Sequence, residues 1–210
     1  QGITSWYSAS ALMSFMGRAT YGYDNRYLLT ATVRRDGSSK FQGDNKWGTF
    51  PSFSIGWNVA NEEFMKEQSI FDVLKVRAGW GATGSQNIAP YSTLGALNTG
   101  SYSFGTANAQ MFYMAGNPKN PDLKWETSYQ TNLGFDLAFL KNALTLSVDL
   151  YNKDTKDLLL FTQINKYDGG GSKLANVGEV NNKGIEAVLG YTLDTKSGFA
   201  WNTNFNISIW

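Results

Sequence analysis

Residues 126–139 read Glu-Thr-Ser-Tyr-Gln-Thr-Asn-Leu-Gly-Phe-Asp-Leu-Ala-Phe, and apolar and polar side chains alternate along most of this stretch. Successive side chains of a β-strand point to opposite faces, so the alternation predicts a strand with one apolar and one polar face. The apolar face holds Tyr129, Thr131, Leu133, Phe135, Leu137 and Phe139. The polar face holds Glu126, Ser128, Gln130, Asn132, Gly134 and Asp136.

Seven further segments repeat this period of two. They are residues 15–23, 27–34, 52–59, 74–81, 144–151, 185–193 and 199–209. Apolar side chains fall on the polar face at only a few positions, such as Met16, Leu28 and Val188. The pattern therefore predicts an all-β fold of about eight antiparallel strands.

The composition of the 210 residues excludes several kinds of site. The chain has no Cys and no His, which excludes disulfides, Cys/His zinc sites and histidine-based catalysis. Its 18 basic and 17 acidic residues nearly cancel, which disfavours nucleic acid as a partner. We expect no metal and no cofactor. No run approaches the roughly 18 apolar residues of a membrane-spanning helix, but weakly patterned strands can also span a membrane.

Two environments explain the apolar face. In a soluble or surface β-sandwich it forms a core, whereas in a transmembrane β-barrel it contacts lipid. A sandwich of this kind would serve as a binding module.

Three observations favour the barrel. The apolar faces carry no charge, although a soluble core also excludes charge. Aromatic residues lie near predicted strand ends, as girdles at the two membrane interfaces require. Short turns (24–26, 140–143 and 194–198) alternate with long links (36–48, 82–123 and 157–183), and segment 60–72 is intermediate and could hold a helical turn. Outer-membrane barrels place short turns in the periplasm and long loops outside.

The polar face predicts a wide, partial barrel. Its Gly, Ser, Asn and Thr residues fill a narrow eight-stranded barrel poorly and suit the wet or plugged lumen of a larger one. Trp210 is out of phase with Phe205, Ile207 and Ile209, unlike the usual end of a bacterial barrel. We therefore expect residues 1–210 to be an internal segment of a longer barrel domain. Charged candidates for ligand contact on the lumen face are Arg34, Lys75, Arg77, Glu126 and Asp136.

Six stretches are more specific than the alternation. They are residues 27–41 (YLLTATVRRDGSSKF), 47–57 (WGTFPSFSIGW), 74–88 (LKVRAGWGATGSQNI), 120–126 (NPDLKWE), 151–159 (YNKDTKDLL) and 176–186 (NVGEVNNKGIE). Together and in this order, they resemble the SusC/RagA family of TonB-dependent outer-membrane transporters.

This resemblance implies a large barrel in the bacterial outer membrane, plugged by an N-terminal domain. It also implies import of oligosaccharides, or of peptides in some members. A SusD-like lipoprotein closes such a barrel as an external lid, outer-membrane lipid surrounds it, and a TonB complex supplies energy through the N-terminal region. We expect the plug domain and the C-terminal strands to lie outside these residues.

Two catalytic interpretations are weaker. Residues 168–173 (DGGGSK) do not match the spacing of a nucleotide phosphate-binding loop, and no helical pattern follows them. Glu126 with Asp136, or Asp149 with Glu186, could form the carboxylate pair of a glycosidase. Carboxylates in a wet lumen are commoner than catalytic pairs, so we do not expect an enzyme.

Overall fold

A computed structural model describes residues 5, 7–95, 97–103, 105, 108–165, 167, 171–194 and 198–210. Its main element is one antiparallel sheet of eight strands in the order β1-β2-β3-β4-β7-β8-β11-β12. These strands are Leu12–Tyr23, Tyr27–Ser38, Trp47–Asn58, Val73–Ser85, Glu126–Phe139, Leu144–Lys156, Glu179–Asp194 and Ala200–Ile209. The eight predicted strands are thus confirmed, and the predicted bounds of 126–139 are those of β7.

Four further strands were not predicted. Leu97–Tyr102 (β5) pairs with Gln110–Ala115 (β6), and Leu159–Gln163 (β9) pairs with Ser172–Asn176 (β10). Each pair is an antiparallel ribbon inside one of the predicted long links. Several main strands also extend further than predicted towards these links; for example, β8 continues to Lys156 and β11 begins at Glu179. The loop between β2 and β3 covers residues 39–46 and is therefore shorter than the predicted link 36–48.

Tight turns close the opposite end of the sheet, which we call the short-turn end. Between β1 and β2, Asp24 and Asn25 have φ of 50° and 51°. Positive φ at successive turn residues matches the right-handed twist of paired strands, and Asp and Asn tolerate it best after Gly. Residues 140–143 form the second predicted turn. The third falls largely on residues 195–197, which lie outside the described residues.

The intermediate segment 60–72 contains the predicted helical turn. Short 3-10 turns cover Val59–Asn61 and Glu63–Met65 at the short-turn end. Among the described residues, none of the helices has both the length and the apolar character to cross a membrane.

The apolar faces of the strands are uncovered. Phe15, Phe53 and Phe205 retain 59%, 50% and 64% of their accessible surface, because no second layer packs on that face within the described residues. A sandwich would bury these side chains, so the sandwich alternative is wrong. The sheet is a partial barrel wall: it is not closed within the described residues, and β1 and β12 form its two edges.

Polar groups bound this apolar belt towards the long loops. Leu133, Leu150 and Ile185 form one outward row across three strands. The next outward row towards the loops is Thr131, Asn152 and Lys183. Outward charge begins in this row with Lys183, and further out Lys156 pairs with Glu179 at 3.5 Å. The uncharged belt and its charged border are the arrangement that a lipid-facing surface requires.

The buried hydrophobic cluster lies among the long loops, at what we call the long-loop end. Its members are Phe41, Phe50, Ala82, Ile88, Leu123 and Trp125. The Trp125 ring lies 5.4 Å from Phe41 and 5.6 Å from Phe50 between centroids, and its indole N–H donates to the Lys46 carbonyl at 3.1 Å. Leu159 and Leu174 of the β9-β10 ribbon pack against the cluster. It therefore joins several loops into one rim.

Aromatic pairs occupy the outward face at both ends of the sheet. Tyr27 stacks with Trp57 at the short-turn end, with 6.5 Å between ring centroids. Phe15 stacks with Trp47 at the long-loop end at 6.2 Å. Trp80 is near the end of the predicted segment 74–81 and was one of the aromatic residues expected at a strand end, but it lies inside β4, which continues to Ser85.

Candidate functional site

The polar face of β4, β7 and β8 carries a cluster of charges centred on Arg77. The Arg77 guanidinium donates from Nε to Asp136 Oδ2 at 2.7 Å and from Nη2 to Asp136 Oδ1 at 2.9 Å. It also pairs with Asp149, with Nη1 and Oδ1 3.1 Å apart. Ser147 donates its hydroxyl proton to Asp136 Oδ1 at 2.8 Å. The single cation is therefore saturated by two carboxylates.

Gly134 makes this cluster possible. It lies directly opposite Arg77 on one side and Asp149 on the other. A Cβ at Gly134 would come within 2.6 Å of Asp149 Oδ1 and 2.7 Å of Arg77 Cζ. Only a glycine leaves room for the arginine to reach a strand that is not its neighbour.

Lys75 and Arg34 lie on the same polar face at different heights. Lys75 is opposite Asp136 in the register of β4 and β7, below the Arg77 row. Arg34 lies towards the long loops, where its Nη2 is 2.7 Å from Oδ2 of Asp36. Asp36 is 2% exposed, so the arginine neutralises a buried carboxylate. Sequence reasoning did not single out Asp36, because its burial depends on how the long loops pack.

Glu126 lies apart from the other four candidates. It begins β7 and accepts a hydrogen bond from the Leu159 backbone N–H at 3.3 Å. Asp136 lies ten residues further along the same strand, about 33 Å away at roughly 3.3 Å per residue. These two carboxylates therefore cannot form a glycosidase pair. Asp149 and Glu186 are directly opposite each other, but Arg77 already holds Asp149.

Two rows of uncharged polar residues form a groove between Arg34 and the Arg77 cluster. One row runs Thr30, Ser54, Gly79 and Asn132 across four neighbouring strands. The parallel row runs Thr32, Ser52, Gly81 and Gln130. All eight residues line one groove of about 530 Å³. The groove offers hydroxyl and amide groups above a floor of two glycines.

Glu62, which the sequence pattern did not single out, joins the turns at the short-turn end. Its Oε1 accepts hydrogen bonds from the Tyr27 hydroxyl at 2.5 Å and the Trp57 indole N–H at 2.9 Å. Arg26 Nη1 donates to Oε2 at 3.1 Å. The hydrogen bonds from Tyr27 and Trp57, followed by Arg26, hold the pKa of the Glu62 carboxyl below its ordinary value. The residues of this site come from two stretches, 26–27 and 57–62, that are far apart in the sequence, so no local motif indicates it.

Within the described ranges, no group of three or more acidic side chains is arranged to hold a metal ion. Residues 168–170 of the glycine-rich stretch lie outside the described residues.

Comparison with known proteins gives consistent matches. The family model described as "TonB dependent receptor-like, beta-barrel" matches residues 2–209. The chain is 40% identical to TonB-dependent receptor P3 of Formosa agariphila, over 98% of this chain and 20% of that protein. It is 37% identical to TonB-dependent receptor SusC of Bacteroides thetaiotaomicron, over 98% of this chain and 21% of that protein. These relatives are named as receptors, not as enzymes.

Solved structures agree in fold. The chain superposes on the RagAB peptide transporter with a TM-score of 0.79 and 28% identity, covering 95% of this chain and 22% of that one. It superposes on the siderophore receptor PirA from Pseudomonas aeruginosa with a TM-score of 0.58 and 17% identity, covering 95% of this chain and 34% of that one, which is a likeness of fold alone. The chain spans about a fifth of the length of the curated relatives that it matches. The eight-stranded sheet, its uncovered apolar belt and the match over residues 2–209 lead to one conclusion: the chain belongs to the TonB-dependent receptor-like β-barrel family.

Proposed function

We propose that this chain is part of the barrel wall of an outer-membrane transporter that imports oligosaccharides or peptides. The observation that carries the proposal is the uncovered apolar belt, on a sheet whose other face is polar and charged. One face suits lipid and the other suits a wet passage. The family match supports energy-coupled transport as the activity.

Two partners belong to the proposal. A SusD-like lipoprotein covers the barrel at the long-loop end, and a TonB complex acts on the plug from the periplasm. The similarity to SusC, and to a structure titled as the RagAB peptide transporter, supports this arrangement. The rim formed around Trp125 gives the lid a connected surface on which to rest.

The proposal places the plug and the remaining strands outside these 210 residues. The open edges of β1 and β12 then pair with further strands and close the barrel. Unpaired strand edges in water favour aggregation, and closure removes them. Arg34, Lys75, Arg77, Glu126 and Asp136 remain predicted contacts for the substrate.

The first experiment is to measure the intact mass of the native protein extracted from its own outer-membrane fraction. We expect a mass several times 23.2 kDa and recovery only in detergent. Uptake of labelled oligosaccharides and peptides is then compared in cells with and without a functional TonB protein. Accumulation of either class should stop without TonB, while surface binding persists. The proposal is contradicted if the protein is monodisperse in buffer without detergent. It is also contradicted if uptake is the same in cells with and without a functional TonB protein.

A further inference from the structure

The connection between β3 and β4 is long for its position at the short-turn end. It covers residues 59–72, whereas residues 24–26 join β1 to β2 and residues 140–143 join β7 to β8. Outer-membrane barrels keep the turns at this end short. The connection is therefore longer than the closing of a hairpin requires.

The first half of this connection lies against the outward face of the sheet. Tyr27 of β2 and Trp57 of β3 are outward side chains that lie opposite each other in the register. The Tyr27 hydroxyl and the Trp57 indole N–H both donate to Glu62 Oε1, at 2.5 and 2.9 Å. Aromatic residues at a membrane interface ordinarily turn these polar groups towards lipid headgroups and water. Glu62 takes the place of such an acceptor, which puts it at the level of the headgroups.

The second half of the connection returns to the same face at β7. The ring of Phe71 lies 5.1 Å from the ring of Phe139 between centroids, and Phe139 is the last outward residue of β7. The Asp72 backbone N–H donates to the Ala138 carbonyl at 2.8 Å, and Asp72 Oδ2 accepts from the Asn142 backbone N–H at 3.0 Å. Both ends of the connection are thus held at the border of the apolar belt.

Between its two ends the connection exposes large apolar side chains. Phe64 and Ile70 retain 69% and 66% of their accessible surface, and Leu140 of the neighbouring turn retains 70%. Glu62 is buried, and Met65, three residues later, is partly buried. Because a 3-10 turn has about three residues per turn, Glu62 and Met65 share the side that packs on the protein. Phe64 lies on a different side of this turn and is directed away from the sheet.

The remaining side chains of this segment are mostly polar or charged. Glu63, Lys66 and Glu67 are all exposed, and together they carry a net negative charge. They therefore provide no attraction to anionic headgroups, and contact with a membrane must come from the apolar side chains. Exposed apolar side chains beside charged ones, on a segment too short to span, are typical of an element that lies in the membrane interface.

We propose that residues 59–72 form an interfacial anchor, in which Phe64 and Ile70 insert into the periplasmic leaflet of the outer membrane and contact phospholipid. This inference rests on the proposed function, which assigns the outward face to lipid and the short-turn end to the periplasm. The partner is phospholipid because the anchor is continuous with the apolar belt through Tyr27, Trp57 and Phe139. Glu62 holds the anchor at the level of the interface.

The test places a fluorescent label at single cysteines of the full-length transporter, reconstituted in vesicles of phosphatidylethanolamine and phosphatidylglycerol. Residues 1–210 contain no Cys, and any cysteine elsewhere in the protein is first replaced by Ser. The anchor variants are Phe64→Cys and Ile70→Cys. Glu63→Cys is the matched control on the same 3-10 turn, and Phe135→Cys reports on the apolar belt. A heat-shift gel shows that each labelled barrel is folded.

We expect the label at residue 64 to emit at a shorter wavelength than the label at residue 63, because its environment is less polar. Phospholipid with a nitroxide on the acyl chain, close to the headgroup, should quench the labels at residues 64 and 70 several-fold more than the label at residue 63. Ile70→Cys alone decides the test if Phe64→Cys fails to assemble.

The outcomes separate the anchor from the proposed function. If the label at residue 135 is quenched but the labels at residues 64 and 70 respond no more than the label at residue 63, the anchor is overturned and the barrel remains in the membrane. An aqueous environment or a protein surface around Phe64 would give that result. If the label at residue 135 is not quenched either, the assignment of the outward face to lipid is overturned together with the anchor.

Discussion

Arg77 and Asp149 form an ion pair of 3.1 Å between strands that are not neighbours in the sheet. The arginine on β4 crosses the intervening β7 at Gly134, where a side chain is absent. Three strands are therefore connected by charge on the polar face, in addition to their backbone hydrogen bonds. This arrangement depends on Gly134, which has no side chain and so leaves room for the ion pair.

We predict that Gly134→Ala weakens the barrel wall. The added Cβ would come within 2.6 Å of Asp149 Oδ1, so the ion pair must open. Loss of the partner of a hydrogen-bonded charged group lowers the free energy of unfolding by about 1–3 kcal/mol. The partial exposure of Arg77 and Asp149 favours the lower part of that range. Urea unfolding of the refolded transporter, followed by the heat-shift gel, measures the loss. Gly17→Ala is the control, and equal midpoints for the two variants would argue against a structural role for the pair.

The facing of β7 can be tested with a matched pair of lysines. Phe135 lies on the outward apolar face and Asn132 on the polar face of the same strand. A lysine near the bilayer midplane costs about 2–4 kcal/mol, whereas a lysine in a wet lumen costs little. Phe135→Lys should therefore lower the yield of folded barrel in the outer membrane far more than Asn132→Lys. Similar yields for both variants would contradict the assigned faces.

Stability at low pH should depend on Glu62. Its pKa in the folded state lies below the ordinary value of 4.5, so the ionised form stabilises the fold. This stabilisation is fully present above the unfolded-state pKa and is lost as the pH falls through the folded-state pKa. Glu62→Gln should thus be less stable than the wild type at neutral pH, and the difference should shrink as the pH falls below 4.5.

Thermal unfolding between pH 3 and pH 7 measures this difference. Glu63→Gln is the control, because Glu63 is exposed whereas Glu62 is buried. If the two variants have parallel pH profiles, Glu62 does not hold the turns together through its charge.

The rim at the long-loop end should depend on Leu123. This side chain is completely buried in the loop cluster, and truncation of a buried leucine to alanine costs about 2–5 kcal/mol. Leu123→Ala should loosen the loops without unfolding the sheet. Trypsin added to whole cells should then cleave faster after Lys119 and Lys124, which flank this residue closely. Tyr113→Ala, at an exposed position, should leave the cleavage rate unchanged.

The sequence predicted the sheet well wherever lipid imposes an alternation. Along β7 both faces are constrained, one by lipid and one by the lumen, so its bounds were predictable from residue types alone. Beyond the lipid belt this constraint ends. Lys156 and Glu179 are polar residues on the outward face, so the alternation could not indicate that β8 and β11 continue that far.

The ribbons and the buried polar contacts were not predictable for a different reason. The β5-β6 ribbon is exposed on both faces, with Leu97 and Tyr113 on one face and Met114 on the other. Since apolar side chains occur on both faces, its sequence does not alternate between apolar and polar residues. The contacts of Glu62 depend on Tyr27 of β2 and Trp57 of β3, which only the pairing of these two strands brings together. The charged candidates on the polar face were found, but pairing of Arg77 with both aspartates required the register.

The order of the strands along the chain has a consequence for how this wall forms. Each main strand pairs with the main strand that precedes it in sequence, so the sheet can grow by adding one hairpin at a time. Most closures involve short connections, but β4 must find β7 across residues 86–125. Relative to the three-residue turn after β1, closing this loop costs about 2 kcal/mol more in chain entropy. The contact between β4 and β7, which also creates the floor of the groove and the ion pairs of Arg77, is therefore expected to be the slow step of assembly.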